Sequence, residues 1–168
     1  MTLHLRSIKT EARILAIDNC NKSHRIGVVY RGGLYLDGVL LLGRTARSSS
    51  QIGREIRQSK YFPELRILML HDPSRSLKPQ SIKKETGLPI LTISTSKPED
   101  DVDYCLVHGA QGRIWIKTQL DQPTVQRILD LTWTTSRLPE PVRVAHLLAR
   151  SIRFSPFVKI KDKSRLGF

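Results

Sequence analysis

Cysteines, aromatic residues and acidic residues are all scarce in this chain. Its 168 residues include two cysteines, Cys20 and Cys105. They lie far apart and match no metal-ligand spacing, which argues against a disulfide-stapled scaffold or a zinc ribbon. Aromatic residues make up only 6%. No apolar run approaches the roughly 18 residues that a membrane-spanning helix requires. The first ten residues carry His4, Arg6 and Lys9 and no apolar core, so they do not read as a secretory signal. Free thiols without such a signal imply a reducing, cytoplasmic setting. The G-x-S-x-G, H-E-x-x-H, C-x-x-C and Walker A patterns are all absent, which removes the enzyme classes that depend on them.

The shortage of acid is the loudest feature. Lys and Arg number 28 against 15 Asp and Glu, a formal charge of +13 with a pI near 10.3. A field of that sign draws in polyanions, and nucleic acid is the usual partner of a folded basic domain. The hydrophobic share of 39% is enough for one real core. The expected organisation is an N-terminal segment 1–11, one domain over 12–155 and a basic C-terminal tail over 156–168.

Periodicity places the elements. RILAID (13–18), RIGVVY (25–30) and LYLDGVLLL (34–42) read as strands, the last two joined by a Gly-rich turn into an antiparallel hairpin. Ser48–Ser50 offer N-caps to a helix over 51–60, which Pro63 is expected to end. LRILML (65–70) suits a strand buried on both faces. A short helix over 81–86 closes at Gly87, and LPILTIST (88–95) is the next strand. A helix is expected over 98–108, because Glu99, Asp100 and Asp101 would sit in its dipole-favoured first turn. A short strand (113–117), a helix over 123–133 and a last helix over 142–153 with Pro141 at N1 complete the order. The pattern predicts an α/β fold of ribonuclease H-like layout. Its mixed sheet has an antiparallel first three strands followed by parallel strands, with helices on both faces.

Asp18 ends the first strand and Asp72 follows the fourth. If those strands are parallel neighbours, their carboxylates could sit side by side and share a divalent cation. The alternative is that each aspartate caps a nearby loop. Asp37, inside an apolar strand, is either a third site carboxylate or a solvent-facing residue beside a Gly bulge. His71, next to Asp72, is a possible further site residue. His146 lies beside the apolar stripe of the last helix, with Arg143, Arg150 and Arg153 within roughly 60° of it around the axis. That edge could orient water or grip phosphate, or it could be an ordinary basic surface. Arg31, Arg44, Arg47 and Arg75 join Arg143 and Arg150 as candidate backbone contacts to nucleic acid.

These pieces resemble a known family. SRLPEPVRVAHLLAR (136–150) is similar to the R-L-P-x-P-x-R-x-A-H element of endonuclease V. RILAIDN followed by IGVVYRGGLYLDGVL, and TGLPILTIS followed by KPED, resemble the endonuclease V-like archaeal family of unknown function ninety-nine, some of whose members are described as deoxyuridine endonucleases. The resemblance covers about residues 12–155. It implies a ribonuclease H-like fold and a DNA-repair-type nuclease that uses Mg²⁺ or Mn²⁺ to cleave a phosphodiester near a deaminated base. It carries the family's metal aspartates onto Asp18 and onto or beside Asp72, and the last-helix residue onto His146. The chain also departs from the family. Residues 43–48 hold no carboxylate, Glu55 is displaced from the expected glutamate, and the loop after Asp72 lacks the Gly-Phe-Asn pattern. The expectation is therefore a metal-dependent endonuclease, or a catalytically degenerate relative that still binds nucleic acid.

Overall fold

The computed structural model describes residues 8–21, 23–33, 35–44, 47–109 and 111–154. The whole basic tail (156–168) and the first seven residues fall outside that range, as does Leu34. A seven-stranded sheet runs through the domain in the order β3-β2-β1-β4-β5-β7-β6. Strands β1 (Arg13–Asp18), β2 (His24–Arg31) and β3 (Tyr35–Arg44) form an antiparallel meander. β4 (Leu65–His71) lies parallel to β1, and β5 (Ile90–Ser94) parallel to β4. The far side closes with an antiparallel hairpin of β6 (Cys105–Gly109) and β7 (Gly112–Lys117), whose β7 runs antiparallel to β5.

Alternation along the two central strands sorts the core into two layers. Ile14 and Ala16 of β1, with Ile67 and Met69 of β4, pack under α3 (Gln122–Thr132) and α4 (Glu140–Phe154). Leu15 and Ile17, with Leu68 and Leu70, face α1 (Ser49–Gln58) and α2 (Pro79–Thr86). Both central strands are apolar on both sides because both sides are covered. The mixed sheet with helices on each face agrees with the sequence pattern, but the last expected strand, 113–117, runs antiparallel rather than parallel, because a hairpin from β6 and not a helical crossover leads into it.

Local chemistry sets the boundaries. Ser48 caps α1 in a reciprocal capping box with Gln51, so the helix starts earlier than expected and ends at Gln58. Pro63 falls instead in a single 3₁₀ turn, Phe62–Glu64. Gly87 takes the left-handed conformation that closes α2. Asp121 caps α3.

The expected helix over 98–108 does not form. The Asp101 carboxylate accepts from the Asp103 amide and pairs with Lys117, fixing a turn. Cys105–Gly109 then pairs with β7. Acids that suit a helix N-terminus suit turns equally well, and this segment has no apolar stripe to settle the choice.

Candidate functional site

Register decides what meets at the carboxyl ends of β1 and β4. Asp18 pairs with His71, not with Asp72. Successive side chains alternate faces, so Asp18 and His71 project to the α4 side while Asn19 and Asp72 project to the α1 and α2 side. The two aspartates expected to share a cation are thus separated by the sheet itself.

On the α4 side, the Asp18 carboxylate is fully buried. Its Oδ1 accepts from the Cys20 amide at 2.9 Å. Its Oδ2 lies 2.8 Å from His71 Nδ1, 3.1 Å from His146 Nδ1 and 3.4 Å from Cys20 Sγ. A carboxylate only accepts, so both imidazoles direct an Nδ1–H at the same oxygen. The two rings meet edge to face with centroids 5.8 Å apart. Burial works to raise the Asp18 carboxyl, but the hydrogen bonds from His71 and from the Cys20 amide outweigh it and hold the group below the usual carboxylate range. Burial, followed by the charge of Asp18, pushes the Cys20 thiol up to about 12. One donor atom from each of Asp18, Cys20, His71 and His146 lies within 4.8 Å of the others.

Magnesium fits this group poorly. Mg²⁺ prefers an octahedral shell of oxygens. The cluster supplies one carboxylate, two imidazoles and a thiol, and Asp72 does not join it. Asp72 instead organises its own loop, accepting from the Leu77 amide at 2.7 Å, from Asn19 Nδ2 at 2.8 Å and from Ser74 Oγ at 2.7 Å.

The opposite side of the same rim opens into a cleft of about 750 Å³. Arg25, Arg47 and Lys78 line it together with six serines (Ser48, Ser49, Ser50, Ser74, Ser76 and Ser81), and no carboxylate does; Asn19, Asn21 and Cys20 also line it, so Cys20 borders both the cleft and the Asp18 cluster. The N-termini of α1 and α2 both open onto it, held together where the Lys78 amide donates to Ser49 Oγ at 2.8 Å. The buried Arg25 guanidinium anchors the floor, donating to Asn19 Oδ1 at 2.7 Å and to the Arg47 carbonyl at 2.8 Å. Partial positive charge at two helix ends and three cationic side chains act in the same direction.

The remaining sequence candidates divide by position. Arg150 lies close enough to Cys20 to favour its thiolate, and Arg75 lies 3.8 Å from Asp101 beside the β4–α2 loop. Arg44 ends β3 opposite His24. Arg31 and Asp37 sit at the other end of the sheet. There Asp37 is the extra residue of a bulge between β2 and β3, beside Gly38, and bonds Arg13 at 2.7 Å and Arg31 at 3.1 Å. Those arginines hold its carboxyl below the usual range. Asp37 is therefore no third site carboxylate. Arg143 pairs with Glu140 near Tyr30, also away from the rim.

Sequence reading missed Asn19, Cys20, Asn21 and Arg25. A signal was present in the polar run Asp-Asn-Cys-Asn that directly follows a buried strand.

No family model matches the chain. It is similar to archaeal proteins named UPF0215. One from Methanopyrus kandleri is 28% identical, covering 89% of this chain and 95% of its own length. One from Methanosarcina acetivorans is 29% identical, covering 88% and 93%. Among solved structures, a protein of unknown function from Archaeoglobus fulgidus is similar with a TM-score of 0.69 at 21% identity, over 85% of this chain and 99% of that one. A Marinitoga piezophila Argonaute in complex with guide RNA is similar with a TM-score of 0.53 at 11% identity, over 84% of this chain and 30% of that one. At these identities the two structures speak to the fold alone. No helix among the described residues is long and apolar enough to cross a membrane.

Proposed function

We propose that this protein is a nucleic-acid-binding relative of endonuclease V, built on a ribonuclease H-like sheet, that grips backbone phosphates in the cleft between α1 and α2. The observation that carries this reading is the cleft lining itself: three cationic side chains, six hydroxyls, two helix N-termini and no carboxylate, on a chain of net charge +13. Guanidinium forks, hydroxyl donors and free helix amides are the groups that bind phosphate oxygens. The fold likeness to an Argonaute and the sequence likeness of the last helix to endonuclease V support the ribonuclease H-like assignment. Phosphate contacts of this kind give affinity without base specificity.

Fluorescence anisotropy with labelled single-stranded and duplex oligonucleotides tests the reading. Binding is expected to persist in EDTA and to weaken linearly in log affinity against log salt. Absence of binding at low salt, or binding indifferent to salt, overturns it.

A second reading is a metal-dependent endonuclease cutting near a deaminated base. Asp18 and the two imidazoles favour it, because they stand beyond the carboxyl ends of parallel strands, where sheets of this kind hold their ligands. The donor set does not suit magnesium, so no catalytic step is assigned to that ion. Nicking of inosine- or uracil-containing oligonucleotides that Asp18→Asn abolishes would establish the nuclease. Intact substrate with every divalent ion tried leaves the binder.

A further inference from the structure

We infer that Asp18, Cys20, His71 and His146 form a four-coordinate site for a zinc-class transition-metal ion. This goes beyond phosphate binding and does not depend on it. The first argument is crowding at one atom. Asp18 Oδ2 faces three donors, His71 Nδ1 at 2.8 Å, His146 Nδ1 at 3.1 Å and Cys20 Sγ at 3.4 Å. One carboxylate oxygen has two lone pairs to offer. Three protons aimed at it are one more than it can accept well, and a single cation in their place satisfies all four groups.

The second argument is spacing. Tetrahedral zinc bonds of about 2.0–2.3 Å place neighbouring donor atoms roughly 3.3–3.8 Å apart. Four of the six separations run from 2.8 Å to 3.8 Å, the last between Cys20 Sγ and His71 Nδ1, and all six lie within 4.8 Å. Small outward shifts of the side chains therefore admit an ion.

The third argument is donor chemistry. Two nitrogens, a sulfur and one oxygen suit Zn²⁺ or Co²⁺ and disfavour Mg²⁺ and Ca²⁺. Three separate segments supply the donors: the end of β1, the end of β4 and the middle of α4. Partial exposure of His146 and Cys20 leaves a route in from the rim.

Loading balances simply. Cys20 releases its thiol proton to solvent and binds as thiolate. The imidazoles stay neutral, each moving its remaining proton from Nδ1 to Nε2. Four protein ligands leave no open position, so the ion cross-links α4 to the sheet and activates no water.

The test uses the untagged full chain stripped with EDTA. Calorimetric titration with Zn²⁺ is expected to give one ion per chain and a raised Tm, with no heat from Mg²⁺ at the same concentration. The Co²⁺-loaded protein is expected to show the intense visible absorption of a tetrahedral ion plus a near-ultraviolet thiolate-to-metal band. Cys20→Ser should lose that band and keep the visible absorption. His146→Ala, a change on a part-exposed helix face, should weaken Zn²⁺ binding on the order of tenfold or more. Failure to bind Zn²⁺, equal binding of Mg²⁺, an unchanged near-ultraviolet band in Cys20→Ser, or unchanged affinity in His146→Ala each overturns the assignment. The wild-type Co²⁺ spectrum decides the coordination even where a variant fails to fold.

Discussion

Asp18 and Asn19 are adjacent in sequence, as are His71 and Asp72, yet each pair is divided between two environments. On the α4 side, the buried Asp18 and His71 meet the partly exposed His146 and Cys20 in a cluster of metal-ligating groups. On the other side, Asn19 and Asp72 meet Arg25 and serine hydroxyls in a hydrogen-bonded floor beneath a cationic cleft. The same two strand ends thus build a candidate ion site on one face and a candidate phosphate site on the other. A step of one residue along a strand is a change of face, and a change of face here is a change of chemistry. Two aspartates that look interchangeable in the sequence should therefore respond differently to every perturbation.

The largest difference is expected from Asp18→Ala. It removes the buried acceptor shared by two imidazoles, and should cost about 3 kcal/mol in urea unfolding at neutral pH in EDTA. The acid limb sharpens the point. The folded-state carboxyl of Asp18 lies below its ordinary 3.8. Its stabilisation is therefore complete above the unfolded value and is lost as pH falls through the folded one. Asp18→Asn should flatten the loss of stability below pH 3.8 relative to the parent protein. An acid limb as steep as the parent's would show that Asp18 is not held ionised by its neighbours.

Asp72→Ala should cost less, about 2 kcal/mol, because it strands the Leu77 amide and the Asn19 and Ser74 donors at a partly wet loop. It should leave Zn²⁺ affinity unchanged, whereas Asp18→Ala should abolish it. Equal loss of metal binding in the two variants breaks the division between faces.

How much of this was legible in sequence follows from the same geometry. Every strand from β1 to β5 and all four helices are legible as apolar runs, apolar stripes or end signals, and the helical crossover after β3 gives the sense of β4, whereas its place beside β1 is set by the sheet. Asp18 and His146 are visible as polar residues at a strand exit and on a helix flank. Which residue of β4 stands opposite Asp18 depends on register, and a sequence read alone leaves that open by one residue, which is enough to exchange Asp72 for His71. The helix expected over 98–108 fails for a related reason: its acids are turn formers as much as N-terminal residues, and the pairing of β6 with β7 is a nonlocal gain. Cys20 was invisible to spacing rules because two of the three residues it meets, His71 and His146, lie 51 and 126 residues away, and only the fold brings them together.

The smallest expected effect separates the rim from the opposite end of the sheet. Arg47 and Lys78 line the cleft, whereas Arg31 and Arg143 are tied to Asp37 and Glu140 at the far end. With phosphate held in the cleft as proposed, Arg47→Ala with Lys78→Ala should reduce the slope of log affinity against log salt by about 1.5. Loss of Arg47 also uncovers Glu55, its ion-pair partner, which adds repulsion in the same direction. The double change Arg31→Ala with Arg143→Ala removes the same formal charge from the chain but should leave the slope where it was, because those guanidiniums lie away from the cleft. Anisotropy titrations of the two double variants at several salt concentrations compare them directly. If both slopes fall equally, net charge rather than the cleft governs nucleic-acid affinity, and the phosphate site loses its claim to specificity of place.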